Sequence, residues 1–283
     1  MTTGGIRTSR MKSGGMRKSR MAVAGTALAA VLALAACGGT ASPKAGSGDR
    51  ATGTSTATGS ASPDPKSTSG DTVPTSGTAI VSKVLEYYIA HPGTEKNVAL
   101  TFDDGPSAQW TPRILALLAK YNAHATFCEI GPNAQAAPDT VKQVVAAGNR
   151  LCDHSVSHNE AMSTRGLAYE TNEIVGAKKM IEAAGGPGTQ VSWFRAPGGD
   201  FTPEIRQISA ANGLRPLAWS VDTDDWKKPG VAQIVATVKK QVRSGSIILM
   251  HDGGGDRTQT VAALAQILPW LQQQGYAINF PDA

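Results

Sequence analysis

Two adjacent carboxylates, Asp103 and Asp104, close the apolar run Asn97-Val98-Ala99-Leu100-Thr101-Phe102 and are followed by Gly105-Pro106. Adjacent side chains at a strand end point different ways, so one can bind a metal while the other accepts a proton. A turn aspartate that only caps backbone amides has the same local look. His154 and His158 stand four residues apart. On a helical or tightly turned segment they face the same way, and with one Asp they make a two-histidine, one-carboxylate set with positions open to water and substrate. His251 leaves the apolar run Ile247-Ile248-Leu249-Met250, and its near-neutral pKa suits proton donation. Arg195 follows Trp193-Phe194 and enters Pro197-Gly198-Gly199; it would orient a catalytic carboxylate or pair with one structurally. Asp225 and Trp226 end the acidic turn Asp222-Thr223-Asp224-Asp225-Trp226, where a tryptophan either stacks on a sugar ring or packs at a rim. Together these residue types spell metal-assisted hydrolysis with an acid and a base alongside. No His-Glu-x-x-His is present, and no phosphate-binding Gly-x4-Gly-Lys-Ser/Thr loop or dinucleotide fingerprint.

The elements that must position these groups alternate. The folded part is expected to start near Ala79, where Ile80, Val81, Val84, Leu85 and Tyr88 recur at helical spacing and predict a helix. Strands are expected at Val98–Phe102, Ala125–Ile130, Asn149–Cys152, Val191–Phe194, Leu214–Ser220 (interrupted by Pro216), Ser246–Met250 and Tyr276–Phe280. Helices are expected at Thr111–Tyr121, Pro138–Ala147, Leu167–Ala184, Thr202–Ala211 and Val261–Gln274, with another inside Gly230–Val242. About seven strand–helix units in one stretch predict a distorted, parallel (β/α) barrel. Asp103, Asp104, His154, Arg195 and His251 all follow strands, which in such a barrel are the ends where active sites form.

The formal net charge of +5 is misleading. Six basic side chains and no acidic ones lie in residues 1–36, so the remainder carries −1 and nucleic-acid binding loses its electrostatic support. The basic head runs into the uncharged stretch Met21–Ala36, which has the form of a secretory signal and is short and small-residued for a membrane span. The sequence Leu34-Ala35-Ala36-Cys37-Gly38 resembles a bacterial lipoprotein cleavage box, which implies a lipid on Cys37 and a membrane-anchored, exported protein. Residues 37–78 are Gly/Ala/Ser/Thr/Pro-rich and predict a flexible tether ahead of a catalytic domain at 79–283. Export permits a disulfide between Cys128 and Cys152, which lie on successive strand candidates and so within bonding range. A monomer is the expected state.

The ordered motifs resemble those of the polysaccharide deacetylases of carbohydrate esterase family 4, the NodB homology domain, from about Lys96 to Phe280. Thr101–Ser107 is similar to the family's first motif, which implies Asp103 as base and Asp104 as metal ligand. His154-Ser155-Val156-Ser157-His158 resembles the second, implying two histidine ligands. Arg195-Ala196-Pro197-Gly198-Gly199 resembles the third, implying that Arg195 positions the base and that the Gly198 N–H serves an oxyanion hole. Gly198 stands where many members have an aromatic residue, which opens the groove. Asp225-Trp226 resembles the fourth motif, with Asp225 tuning a histidine and Trp226 lining the groove. Leu249-Met250-His251 resembles the fifth, with Leu249 beside the acetyl methyl and His251 as acid. The resemblance implies a divalent metal, Zn²⁺ first and Co²⁺ or Ni²⁺ admitted. It implies an acetylated polysaccharide substrate: N-acetylglucosamine polymer of peptidoglycan or chitin type, with acetylxylan as the alternative. A carbohydrate-binding lipoprotein without chemistry is the remaining reading.

Overall fold

The computed structural model describes residues 82–89 and 96–281. The expected export signal, Cys37 and the tether lie outside them, as do Ile80 and Val81.

Among the described residues eight strands form one sheet: β1 (Asn97–Gly105), β2 (Thr126–Glu129), β3 (Arg150–Asp153), β4 (Val191–Phe194), β5 (Arg215–Pro216), β6 (Val221–Asp222), β7 (Ile247–His251) and β8 (Ala277–Asn279). Their order is β5-β4-β3-β2-β1-β7-β6, with β8 beside the start of β1. Every named pair is parallel. The edges β5 and β6 do not pair, so the barrel is open and distorted, built of about seven parallel strand–helix units. Among the described residues seven α-helices connect the strands: α1 (Thr111–Lys120), α2 (Gly131–Ala136), α3 (Pro138–Ala146), α4 (Leu167–Gly185), α5 (Pro203–Ala211), α6 (Val231–Gln241) and α7 (Thr258–Gln273).

Strand alternation divides the core in two. Leu100, Phe102, Phe127, Phe194, Ile248 and Met250 face the helices, with Ile114, Leu118, Ile174 and Leu264 among their helical partners. Ala99, Cys128, Cys152, Trp193, Leu217 and Ile247 fill the inside of the barrel, joined by Ile89. The helix punctuation is physical: the Thr202 hydroxyl accepts from the Ile205 N–H ahead of α5, with Pro203 in the first turn.

Two expected elements differ. No helix forms at 82–89. That segment is an extended strap along the β5 edge: the Glu86 N–H donates to the Pro216 carbonyl, and the Glu86 carbonyl accepts from the Ala218 N–H. An open edge offers unpaired backbone groups, and satisfying them outweighs a weak helical periodicity. Only Ile89 of this strap is buried, while Val84, Tyr87 and Tyr88 are exposed, so the periodic residues do not share a buried face. Of the strand expected at 214–220 only Arg215–Pro216 forms, and a second short strand follows at Val221–Asp222. The chain leaves β4 at Pro216 and joins β7 at Val221, so 217–220 crosses the gap between the two sheet edges. The short helix α2 was not anticipated, since its six residues are too few to show a period.

Cys128 and Cys152 are direct partners across β2 and β3 and form a disulfide. Both are fully buried inside the barrel, below the strand ends that carry the site. The bond closes a loop between residues 24 apart. Replacing both cysteines by alanine is expected to lower the unfolding free energy by about 3 kcal/mol through lost chain constraint. A denaturation midpoint equal to that of the oxidised wild type would contradict this.

Candidate active site

The polar residues singled out by spacing come together at the C-terminal ends of the strands. Asp103, Asp104, His154, His158, Gly198, Trp226, Leu249 and His251 line one cleft of about 430 Å³. Arg195 and Asp225 lie directly behind it, 0% and 1% exposed, each bonded to a residue of the lining.

The ligand-type atoms of Asp104, His154 and His158 lie within 4.8 Å of one another. Asp104 Oδ1 is 3.6 Å from His154 Nε2 and 3.1 Å from His158 Nε2. It is buried and makes no hydrogen bond, as expected of an oxygen directed at something other than a donor hydrogen. His154 Nδ1 meets the Arg195 carbonyl at 2.7 Å. A carbonyl only accepts, so Nδ1 carries the proton and the Nε2 lone pair faces Asp104. Burial pushes the His154 pKa down, which favours the neutral, ligating imidazole. His158 shifts the other way because Asp104 is beside it. Burial alone would raise Asp104, but the contact with His158 and the charges of the surrounding histidines hold it well below the ordinary carboxylate range. A carboxylate and two imidazoles, with room for water, match the donor set of a catalytic divalent site.

The neighbours of this cluster are held rigidly. Arg195 Nη1 donates to Asp103 Oδ1 at 2.7 Å and to the Thr101 hydroxyl at 2.9 Å. The other oxygen of Asp103, Oδ2, lies 3.6 Å from His154 Nε2. His251 sits directly across β7 from Asp103 on β1. Its Nδ1 is 2.7 Å from Asp225 Oδ1, and Asp225 Oδ2 accepts both the His251 N–H and the Thr260 hydroxyl. Burial disfavours a charged His251, yet the hydrogen bond and charge of Asp225 outweigh it and raise the pKa. This arrangement fixes the tautomer with Nε2 toward the cleft.

Gly198 has φ 61°, and a Cβ there would lie 3.0 Å from the Glu160 side chain. The stem of Glu160 therefore occupies space where the sequence suggested an opened groove. The loop after β7 folds inward against Asp104, and a Cβ on Gly254 would lie 2.5 Å from Asp104 Oδ2.

Several lining residues were not singled out by sequence reasoning: Glu160, Trp219 and Arg257. None belongs to a spaced motif, so no local signal marks them. A second omission lies beneath the turn. Glu129 and Asp252 are fully buried and flank Gly105, whose absent Cβ would lie 2.5–2.6 Å from their carboxylate oxygens. Burial and neighbouring negative charge push Glu129 well up. Burial, opposed by the Thr111 hydroxyl bond, takes Asp252 up to about 7.

Residues 90–217 match the family model described as polysaccharide deacetylase. The chain is 42% identical over 193 residues to a peptidoglycan-N-acetylglucosamine deacetylase of Bacillus cereus, covering 65% of this chain and 86% of that relative. It is 37% identical over 193 residues to a chitooligosaccharide deacetylase of Sinorhizobium fredii, covering 65% and 89%. Among solved structures, a CE4 family pseudoenzyme from Bacillus anthracis superposes with a TM-score of 0.64 at 30% identity, covering 71% of this chain and 68% of that one.

For the buried acids the stability consequence has a definite sign. Between about pH 4 and pH 7 the unfolded chain ionises Asp252 while the folded chain keeps it protonated, so this contribution is largest in acid and is lost as pH rises to 7. Asp252→Asn is therefore expected to flatten the decline in Tm of the metal-free protein between pH 5 and 8, with a gain on the order of 2 kcal/mol at pH 8. An Asn variant with an unchanged pH profile would show that Asp252 ionises normally.

Proposed function

The chain belongs to the polysaccharide deacetylase family, carbohydrate esterase family 4, and from that premise we propose that it removes the acetyl group from N-acetylglucosamine units of a cell-wall polymer. It is a metal-dependent hydrolase. The observation that carries the reading is the convergence in one cleft of Asp104, His154 and His158 with an arginine-held Asp103 and an aspartate-held His251. Because the fold also occurs in a protein described as a pseudoenzyme, the fold alone says nothing of activity, and the side chains decide it. Peptidoglycan is the favoured polymer, supported by the 42% identity to the Bacillus cereus enzyme. Zinc is the proposed ion, on the carboxylate–imidazole donor set.

A bound divalent ion supplies a polarised acyl carbonyl and an acidified water at this site. The chain's own groups do the rest. Asp103 takes a proton from the attacking water on Oδ2, while Arg195 holds Oδ1 and so fixes which oxygen faces the cleft. Gly198 lines the cleft, and its N–H is the proposed donor to the acyl oxygen as charge develops there. His251 Nε2 delivers a proton to the departing sugar nitrogen, and Asp225 keeps the imidazole charged until it does. Leu249 offers an apolar surface to the acetyl methyl, and the half-exposed Trp226 a face for a sugar ring. We place the enzyme outside the cytoplasm, held by a lipid on Cys37 and spaced by residues 37–78. The supports are the signal-like head and the cleavage box.

The test is acetate release by the full chain with zinc or cobalt on N-acetylglucosamine oligomers, peptidoglycan and acetylated xylan in parallel. Release from an N-acetylated substrate is expected, and release from xylan alone would make the protein an esterase. Asp103→Asn is expected to keep the metal and lose turnover, whereas His158→Ala loses both; an active, metal-replete Asp103→Asn sinks the base assignment. Asp225→Asn is expected to move the alkaline limb of the kcat/KM profile to lower pH and to slow turnover by about 100-fold. An unmoved limb would remove Asp225 from the tuning of His251.

A further inference from the structure

His158 is bound to no strand. It sits in the turn 154–158, after β3, with φ of 69° at Ser155 and 53° at His158. Non-glycine residues rarely adopt this left-handed conformation, so something outside the turn must hold it.

The holding comes from one face of α4. Glu173 is 3% exposed, and its Oε2 accepts two consecutive backbone amides, Val156 at 3.1 Å and Ser157 at 2.8 Å. One turn earlier the Tyr169 hydroxyl meets Ser157 Oγ at 3.0 Å and accepts from Asn159 Nδ2 at 3.2 Å. Just beyond Glu173, Gly176 has no side chain, and a Cβ there would lie 3.1 Å from Val156 Cγ2. Positions 169, 173 and 176 share a helix face by their spacing. From the opposite side Asp153 Oδ1 accepts the Ser155 N–H at 2.8 Å, and Ser155 Oγ accepts the His158 N–H at 3.0 Å. Every amide from 155 to 158 thus has a side-chain acceptor. Glu173 takes two of the four and is the one acceptor among them that is distant in sequence, reaching the turn from α4.

We propose that Glu173 is a positioning residue of the metal site: its buried carboxylate clamps the turn onto α4 and thereby sets where His158 Nε2 points. A charged acceptor on a backbone amide is a strong and short bond, and two amides on one oxygen fix the orientation of the peptide planes between the two histidines. Without it the turn is free to relax from its left-handed residues, and His158 loses its alignment with Asp104 and His154. The inference rests on the reading that Asp104, His154 and His158 hold a metal.

The experiment measures zinc affinity of the full chain by chelator competition, together with the visible spectrum of the cobalt form, and KM and kcat. Glu173→Met fills the volume without an acceptor, and is expected to weaken zinc binding by about 10–100-fold and to alter the cobalt bands. Glu173→Asp keeps the charge but withdraws the oxygen by one methylene, and is expected to behave in the same direction; it carries the test if the Met variant does not fold. Glu173→Gln retains a carbonyl acceptor and is expected to rescue both affinity and spectrum, with KM near wild type throughout. Wild-type affinity and spectrum in the Asp variant overturn the proposal, as does a Gln variant that loses as much as the Asp or Met one. A wild-type chain that binds no zinc or cobalt instead overturns the metal reading on which the proposal stands.

Discussion

A guanidinium cut off from water must find acceptors in the protein, and Arg195 finds them on β1 and on the stretch after β5. Its Nη1 holds Asp103 and Thr101 on β1, while Nε and Nη2 donate to the Leu217 and Ala218 carbonyls at 3.1 Å each. Those two carbonyls belong to the stretch that crosses the gap between the sheet edges β5 and β6. The same side chain therefore closes the open barrel with hydrogen bonds that a strand would otherwise supply, and fixes the orientation of the proposed base. Removing one partner of such a buried pair costs about 3–5 kcal/mol, because the other charge is stranded. Fold and chemistry are coupled through this one residue.

Around it, the site is assembled from conformations that a chain does not choose locally. Asp104 has φ of 73°, and His158 and Ser155 are also left-handed. Each such residue costs on the order of 1–3 kcal/mol and survives only where its surroundings over-determine it. For Asp104 the surroundings are the inward-folded Gly253–Gly254 loop and the Asn133 amide, which donates to its carbonyl at 3.0 Å. For His158 they are α4 and the turn's own side chains. The short helix α2 supplies Asn133, so an element with no visible sequence period still supports the metal turn.

The pKa pattern follows from where each charge finds a partner. Asp225 and His251 face each other, and each favours the charge of the other, so the carboxyl is lowered and the imidazole raised. For Glu129 and Asp252 burial and neighbouring carboxylates dominate instead, so both carboxyls are raised, Asp252 to about 7. Both kinds of pair lie beside the same strand end, β1, and their opposite behaviour comes from neighbours that are distant in the chain.

Much of the site was legible because its residues sit in short motifs at strand ends: Asp103-Asp104 before Gly105-Pro106, His154 and His158 four apart, His251 after four apolar residues. A parallel barrel sends all its C-terminal strand ends to one rim, so strand–helix alternation alone predicts that these motifs meet. The helices with a clear apolar period were legible for the same reason. The strap at 82–89 was not, because edge pairing with Pro216 and Ala218 decides its form. The end of the expected 214–220 strand at Pro216, with β6 starting only at Val221, was not, because only the gap in the barrel requires it. Glu129, Glu160, Glu173, Asp252 and Arg257 carry no spacing signal, since an isolated acid or base reads as surface until burial is known. Residue type and order determined which chemistry this protein can perform and on what kind of scaffold. The tertiary structure alone decided which oxygen of Asp103 is free, which nitrogen of each histidine faces the cleft, and which acids have raised pKa values, because each of these depends on hydrogen bonds and desolvation from groups that meet only when the barrel folds.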